Sequence, residues 1–336
     1  MRSSLILISI VAFPLLNGLT VGQGQRPQRL NPVIALLEQN KPVFGLYAPT
    51  AGGNRGRGAG VPAAGAAPAP APVVKQPIEL AKDALAYQNA DFLFNGSMEG
   101  GLDRGLPAFT DFVIALGDAA GPGKAPFFGL TRPFIVKTPK IAADPAKAVE
   151  NISRQLNVGA GGIVFVEIES ADEVRQGLAA MRFKSKGGTR PDAVGTAPAY
   201  WGMSEQEYRQ KADLWPLNPG GELINWTIVE SKEGLAHVRE IAAVKGIGVL
   251  WPGAGTLRGV FTSTSAAGER VFDAAAHESA IQQVLAACKE FHVPCGYPAN
   301  ANDIEARMKQ GFSVFVMTWG DAGFKAVELG RKAAGR

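Results

Sequence analysis

Apolar residues along this chain fall into two alternating kinds of block. Short unbroken runs rich in Val, Ile and Phe alternate with longer stretches in which apolar residues recur at helical spacing. Runs of the first kind are too short for helices and are bounded by Gly, Pro or carboxylates, as strands buried on both faces are. They fall at residues 41–47, 91–94, 127–138, 160–168, 223–229, 247–251, 293–297 and 312–318. Stretches of the second kind fall at 77–87, 144–156, 235–244, 277–292, 301–310 and 321–334. This alternation predicts strand–helix units around a parallel sheet. A short helix precedes the first strand, with Asn31 as its cap, Pro32 at its first position and residues 34–37 as its apolar side.

The clearest unit spans residues 221–261, GELINWTIVESKEGLAHVREIAAVKGIGVLWPGAGTLRGVF. Its first strand ends on Glu230. Its helix carries Leu235, Val238, Ile241 and Ala242 on one side and stops at Lys245-Gly246. Its second strand runs into Pro252-Gly253-Ala254-Gly255. A carboxylate and a glycine-rich turn thus stand at strand C-termini, where parallel α/β folds carry their chemistry.

This unit resembles the HpcH/HpaI aldolase and citrate lyase β-subunit family, in which a strand ends in I-E, a helix follows, and the next strand ends in G-P-x-D-L-S. Further segments resemble it in the same order: NGSMEGGLDRGLPAF after the second strand, FIVKTP in the third, AGGIVFVEIESADE in the fourth, and the helices and strands from residue 277 onward. The resemblance covers residues 31–336 apart from one insert. It implies a (β/α)8 TIM barrel of the phosphoenolpyruvate/pyruvate-binding type. It also implies a divalent metal, Mg or Mn, and cleavage or formation of 4-hydroxy-2-oxo acids through a pyruvate enolate. A small 2-oxo acid such as pyruvate is the implied substrate, and a homo-oligomer the implied assembly.

Carried over residue by residue, the resemblance makes Glu230 the metal ligand. The family's second ligand, an Asp, is replaced here by Gly255 or Thr256, depending on one residue of gap. Glu99 matches a family Glu, but Gly100 stands where a catalytic His follows it, and Ser97 or Gly96 stands at the family's first Asp. Lys137 occupies the place of an Arg that binds the oxo acid; it keeps the charge and loses the bidentate fork. Gly253, Ala254, Gly255 and Thr256 are the implied substrate-binding turn, whose backbone amides can hold a carboxylate. The candidate catalytic residues are therefore Lys137 and Glu99. Glu167 or Glu169 is a further nearby carboxylate, although Glu169 also suits the first turn of the following helix. With several positions substituted, two other readings stay open: a non-catalytic barrel that binds a small carboxylate, and a barrel enzyme with a changed reaction.

Composition adds little to this but excludes some classes. The chain has 336 residues, 46% hydrophobic and 19% charged, enough for one large barrel domain. A net charge of +4, with several arginines in low-complexity sequence, gives no reason to expect a nucleic-acid partner. Residues 1–22 have the anatomy of a signal peptide, with Arg2 before an apolar run and small residues before Gln23. Pro14 and Asn17 interrupt that run, which argues against a stable membrane span. The expected product is exported, periplasmic or secreted, with the barrel starting in residues 23–50 and continuing through 78–336. Between them, residues 51–77 are rich in Gly, Ala and Pro and predict a disordered insert. In an exported chain Cys288 and Cys295 could pair; the favoured expectation is two separate small core residues, one closing a helix and one in the next strand. His237, His277 and His292 all fall in predicted helices and are expected to serve packing or surface roles.

Overall fold

The computed structural model describes residues 29–51, 74–121 and 131–336. The expected signal peptide and nearly all of the expected insert lie outside the described residues. Eight parallel strands form the centre: β1 (Val43–Tyr47), β2 (Phe92–Asn95), β3 (Phe134–Lys137), β4 (Gly162–Phe165), β5 (Leu223–Val229), β6 (Val249–Pro252), β7 (Gly296–Pro298) and β8 (Val314–Met317). Each pairs in parallel with the next from β1 to β6, β7 pairs with β8, and β8 returns to β1. The remaining seam, between β6 and β7, is closed by a parallel bridge from Leu250 to Cys295, with the Leu250 amide donating to the Pro294 carbonyl at 2.9 Å. That seam is thin because Pro294 and Pro298 have no amide hydrogen to give. The predicted (β/α)8 barrel is present.

Alternation along each strand divides two cores. Ile135, Val164, Ile224, Trp226, Ile228 and Trp251 point inward and pack together, while Val136, Ile163, Leu223 and Leu250 face the surrounding helices. Trp226 fills the interior, stacked on Trp251 at 5.5 Å and edge-on to Phe92 at 5.1 Å. Two glycines make room for these rings. A Cβ on Gly45 would lie 2.2 Å from Phe92, and one on Gly296 would lie 1.8 Å from Trp251. The interior is therefore a packed layer of aromatic and branched side chains, not a channel.

The helix Pro32–Glu38 plugs the N-terminal end of the barrel with Val33, Ile34 and Leu37. The Asn31 side chain accepts from the Val33 amide and donates to the Glu222 carbonyl, and Arg29 pairs with Glu38 and Glu222. Trp201 and Tyr208, from the long excursion between β4 and β5, are buried against the barrel's helical layer. Arg190 belongs to the same excursion. It is fully buried, 4.2 Å over the Phe183 ring and bonded to Asn157 and Tyr208, away from the strand C-termini.

Several expectations need correction. Cys288 and Cys295 are joined in a disulfide, with Cα atoms 5.6 Å apart. The turn between them places His292 at φ +54°, which folds the helix end back onto the next strand. His292 consequently lies outside its helix, Ala274–Glu290. The helix expected at 235–244 is two short pieces, Lys232–Ala236 and Val238–Ala242, parted at His237. Ser231 starts it early by accepting from the Gly234 amide. Between the strand–helix unit at 221–261 and the next helix lies a small antiparallel hairpin, Thr262–Thr264 with Arg270–Phe272, in polar sequence that carries neither apolar pattern. A long helix, Leu102–Ala120, is present where no helix was expected, because Gly105 and Pro107 near its start mask its helical spacing.

Candidate functional site

The strand C-termini bring most of the expected residues to one mouth. On β3, Ile135 faces inward and Val136 outward, so Lys137, the last residue, faces inward at the rim. The residue is nearly buried, at 8% exposure, and its stem runs past Gly96, where an added Cβ would stand 3.6 Å from Lys137 Cδ. The Lys137 ammonium meets Glu99 Oε1 at 3.0 Å. Glu99 sits in the turn after β2, so two separate strand ends converge on this pair. Gln155 donates to the Lys137 carbonyl at 2.8 Å and holds the end of β3 in place. These two residues, far apart in sequence, are the expected catalytic pair, now in direct contact.

Glu230 ends β5. By the same alternation it follows inward Ile228, and its side chain is buried at 4% exposure. One oxygen, Oε1, accepts from the Glu167 amide at 3.1 Å. Glu167 takes φ +50°, an uncommon conformation for a residue with a side chain. Gly253 presses on the other oxygen: a Cβ there would stand 2.6 Å from Oε2 and 2.4 Å from Glu230 Cβ. Glycine at 253 is thus required by the close approach of the two strand ends. The Gly253 amide donates to the Val229 carbonyl at 2.9 Å, so within the expected turn it is Ala254, Gly255 and Thr256 that open the helix Ala254–Val260. Gly255 and Thr256 are exposed, and a Cβ on Gly255 would meet nothing within 4 Å.

A second charged group lies beside the first. Lys140 pairs with Glu169 at 3.0 Å and with Glu167 at 3.6 Å. Hydrogen bonds from Lys140 and Ser231 hold Glu169 below the usual carboxylate range. For Glu173, burial dominates and pushes its carboxyl above that range. Glu169 therefore precedes the helix Ala171–Met181 and serves an ion pair; Ser170 is that helix's cap.

These donors do not fit a divalent cation. Among the described residues no group of three or more His, Cys, Asp or Glu side chains converges on one point. Glu230 has one oxygen engaged by an amide, Glu99 is held by Lys137, and the position of the family's second carboxylate is Gly255 or Thr256. A hard cation wants several oxygens around it, and one constrained carboxylate does not supply them.

Two histidines have local roles that the sequence did not reveal. His277 Nε2 lies 2.9 Å from the Ala254 carbonyl, bracing the start of the short helix after β6. His237 Nδ1 lies 3.0 Å from the Glu169 carbonyl. His277 sits on the helix Ala274–Glu290 and His237 at the break between two short helices, so only the tertiary fold brings them to strand ends. Arg132, near Lys137 in sequence, turns the other way and bonds the Ala84 and Tyr87 carbonyls.

Neither a protein-family model nor a curated protein sequence matches the chain. Solved structures do. A HpcH/HpaI aldolase/citrate lyase family protein from Burkholderia cenocepacia J2315 aligns with a TM-score of 0.60 at 21% identity, covering 90% of this chain and 96% of that one. The HpcH/HpaI aldolase from Desulfitobacterium hafniense DCB-2 aligns with a TM-score of 0.56 at 16% identity, covering 90% and 94%. Macrophomate synthase aligns with a TM-score of 0.56 at 19% identity, covering 92% and 93%. At these identities the likeness shows the fold, and the chain is accordingly a (β/α)8 barrel of the kind found in HpcH/HpaI aldolase/citrate lyase family proteins.

Proposed function

We propose that this barrel is a carbon–carbon lyase that cleaves or forms small 4-hydroxy-2-oxo acids. The observation carrying this reading is the Lys137–Glu99 pair, a nearly buried cation and a carboxylate 3.0 Å apart at the C-terminal mouth. Cleavage beside a keto group leaves an electron pair that must be drawn toward the C2 carbonyl. A cation held there favours the charge that develops. A neighbouring carboxylate can take the proton of the 4-hydroxyl group as the bond breaks. The amides of Ala254, Gly255 and Thr256, in the first turn of their helix, are the proposed contacts for the substrate carboxylate. Glu230 is assigned a positioning role, since its Oε1 ties the strand ends through the Glu167 amide. No step is routed through a metal.

The direct test supplies 4-hydroxy-2-oxo acids of several lengths and follows pyruvate release with a coupled dehydrogenase. Release that falls sharply in Lys137→Ala and Glu99→Ala supports the proposal. Tight pyruvate binding by calorimetry without turnover would replace it with the second reading, a carboxylate-binding barrel, which the absent second carboxylate favours. We also propose that the chain works outside the cytoplasm after losing residues 1–22, and that it forms a homo-oligomer. The Cys288–Cys295 disulfide suits an oxidising compartment. The mass of the native protein tests the first point and light scattering the second.

A further inference from the structure

We propose that Lys137 is the electron sink of this site in the covalent sense: its amine forms an imine with C2 of the 2-oxo acid. The inference rests on the lyase reading above and names how that reaction would activate its carbonyl.

Three observations lead to it. The first is the residue type. A guanidinium in this place can bind a carbonyl but cannot attack it, whereas a lysine amine becomes a nucleophile once it gives up a proton. The second is placement. Lys137 ends β3 on the inward side, nearly buried, its stem running past Gly96 and its backbone held by Gln155, so the amine is aimed at the mouth and not into solvent. A carboxylate stands 3.0 Å from Nζ, within direct proton-transfer distance. The third is the misfit of the described carboxylates to a divalent cation. Carbonyl activation by this chain's own residues then falls to Lys137, the nearly buried amine at the mouth among the described residues, and an iminium supplies it.

The chemistry balances with the groups present. The Lys137 ammonium gives a proton to Glu99, and the freed amine adds to C2 while the carbonyl electrons move to oxygen. A proton moves from nitrogen to that oxygen, and Glu99 then protonates the hydroxyl, which leaves as water. The result is an iminium and a Glu99 carboxylate. That carboxylate removes the proton of the 4-hydroxyl group, the bond between C3 and C4 breaks, and its electrons pass into the iminium. An aldehyde leaves and an enamine remains. Glu99 returns the proton to C3, and water hydrolyses the imine to pyruvate and the starting ammonium. One water leaves and one enters, and no oxidant or reductant is consumed.

Borohydride trapping tests this on the wild-type protein. The protein is incubated with pyruvate and sodium borohydride, with and without EDTA, and its intact mass and peptide map are read. In parallel, exchange of the pyruvate methyl protons in deuterated water is followed by NMR, which reports enolisation by any route. The expected result is a mass gain of one carboxyethyl group in place of one hydrogen, mapped to Lys137 and unaffected by EDTA. The adduct and the exchange should both vanish in Lys137→Arg, whose circular dichroism should match the parent. Methyl exchange without an adduct would overturn the imine and leave the lyase reading standing. Adducts on Lys140 or on exposed lysines alone would overturn the assignment to Lys137. No exchange and no adduct would overturn both proposals.

Discussion

Reducing the Cys288–Cys295 disulfide should destabilise the barrel by an amount its short loop allows. The two cysteines are separated by 7 residues, both 2% exposed, and link the end of the helix Ala274–Glu290 to the residue just before β7. Closing so short a loop restricts the unfolded chain by about 2.4 kcal/mol in the chain-entropy account. For a domain of this size that corresponds to a fall in Tm of about 5 °C, at roughly 2 °C per kcal/mol. Location sharpens the expectation. Cys295 also forms the bridge to Leu250 that closes the barrel, and the Cys288 Sγ lies 3.9 Å from the Leu250 carbonyl. The loss should therefore concentrate at the seam between β6 and β7, directly below the Gly253 turn. The assay is thermal unfolding with and without a phosphine reductant, with thiols counted by a chromogenic disulfide, and hydrogen exchange at the Leu250 amide. A Cys288→Ala/Cys295→Ala double variant should match the reduced protein to within the small cost of the lost sulfurs. An unchanged Tm after two thiols have been titrated would refute the reasoning. So would two free thiols in the untreated protein denatured without reductant.

Two further outcomes follow from the site and its surroundings. Thr256→Asp should raise Mn affinity in calorimetry, because it adds a hard anionic oxygen on the turn that packs against Glu230; Glu230→Ala should abolish the gain. Gly255→Asp is the companion variant, since a side chain there meets nothing within 4 Å, and failure of both would mean the inherited ligand geometry is gone. Stability should also fall in acid. Hydrogen bonds from Arg307 hold the Glu278 carboxyl below its usual range, so in the interval between the folded and unfolded pKa values the unfolded chain binds the extra proton. That contribution is fully present above the unfolded value and is lost as pH falls through the depressed folded one. Glu278 is 42% exposed, so its share is below about 1 kcal/mol. Urea unfolding from pH 7 downward should show a smaller acid loss in Glu278→Gln than in the parent, and identical slopes would sink the assignment.

Much of the fold was legible because a barrel strand's signal is local. Strands β4, β5 and β8 are buried on both faces, so they read as unbroken apolar runs, and their order with the intervening helices permits few topologies. Leu102–Ala120 was hidden by Gly105 and Pro107 near its start, and the split at His237 by apolar spacing that continues across the break. At the site, Lys137 and Glu230 could be placed at strand ends because each follows an apolar run, whereas Glu99 was placed through the family resemblance of the segment after β2.

What sequence alone determined was therefore the eight strands and most of the helices, since burial writes a periodic pattern into the chain, and, through the family resemblance, the barrel and the residues at its C-terminal rim. Which rim residues touch was decided only by the tertiary structure. The Lys137–Glu99 pair joins residues 38 apart, and the Glu167–Glu230 bond joins residues 63 apart. Pairing of Cys288 with Cys295 depends on a left-handed turn at His292 that no propensity announces. The bracing of Ala254 by His277 depends on how a helix lies against the barrel. These are through-space distances set by strand register, tilt and helix packing, and the order of residues along a chain carries no direct record of them.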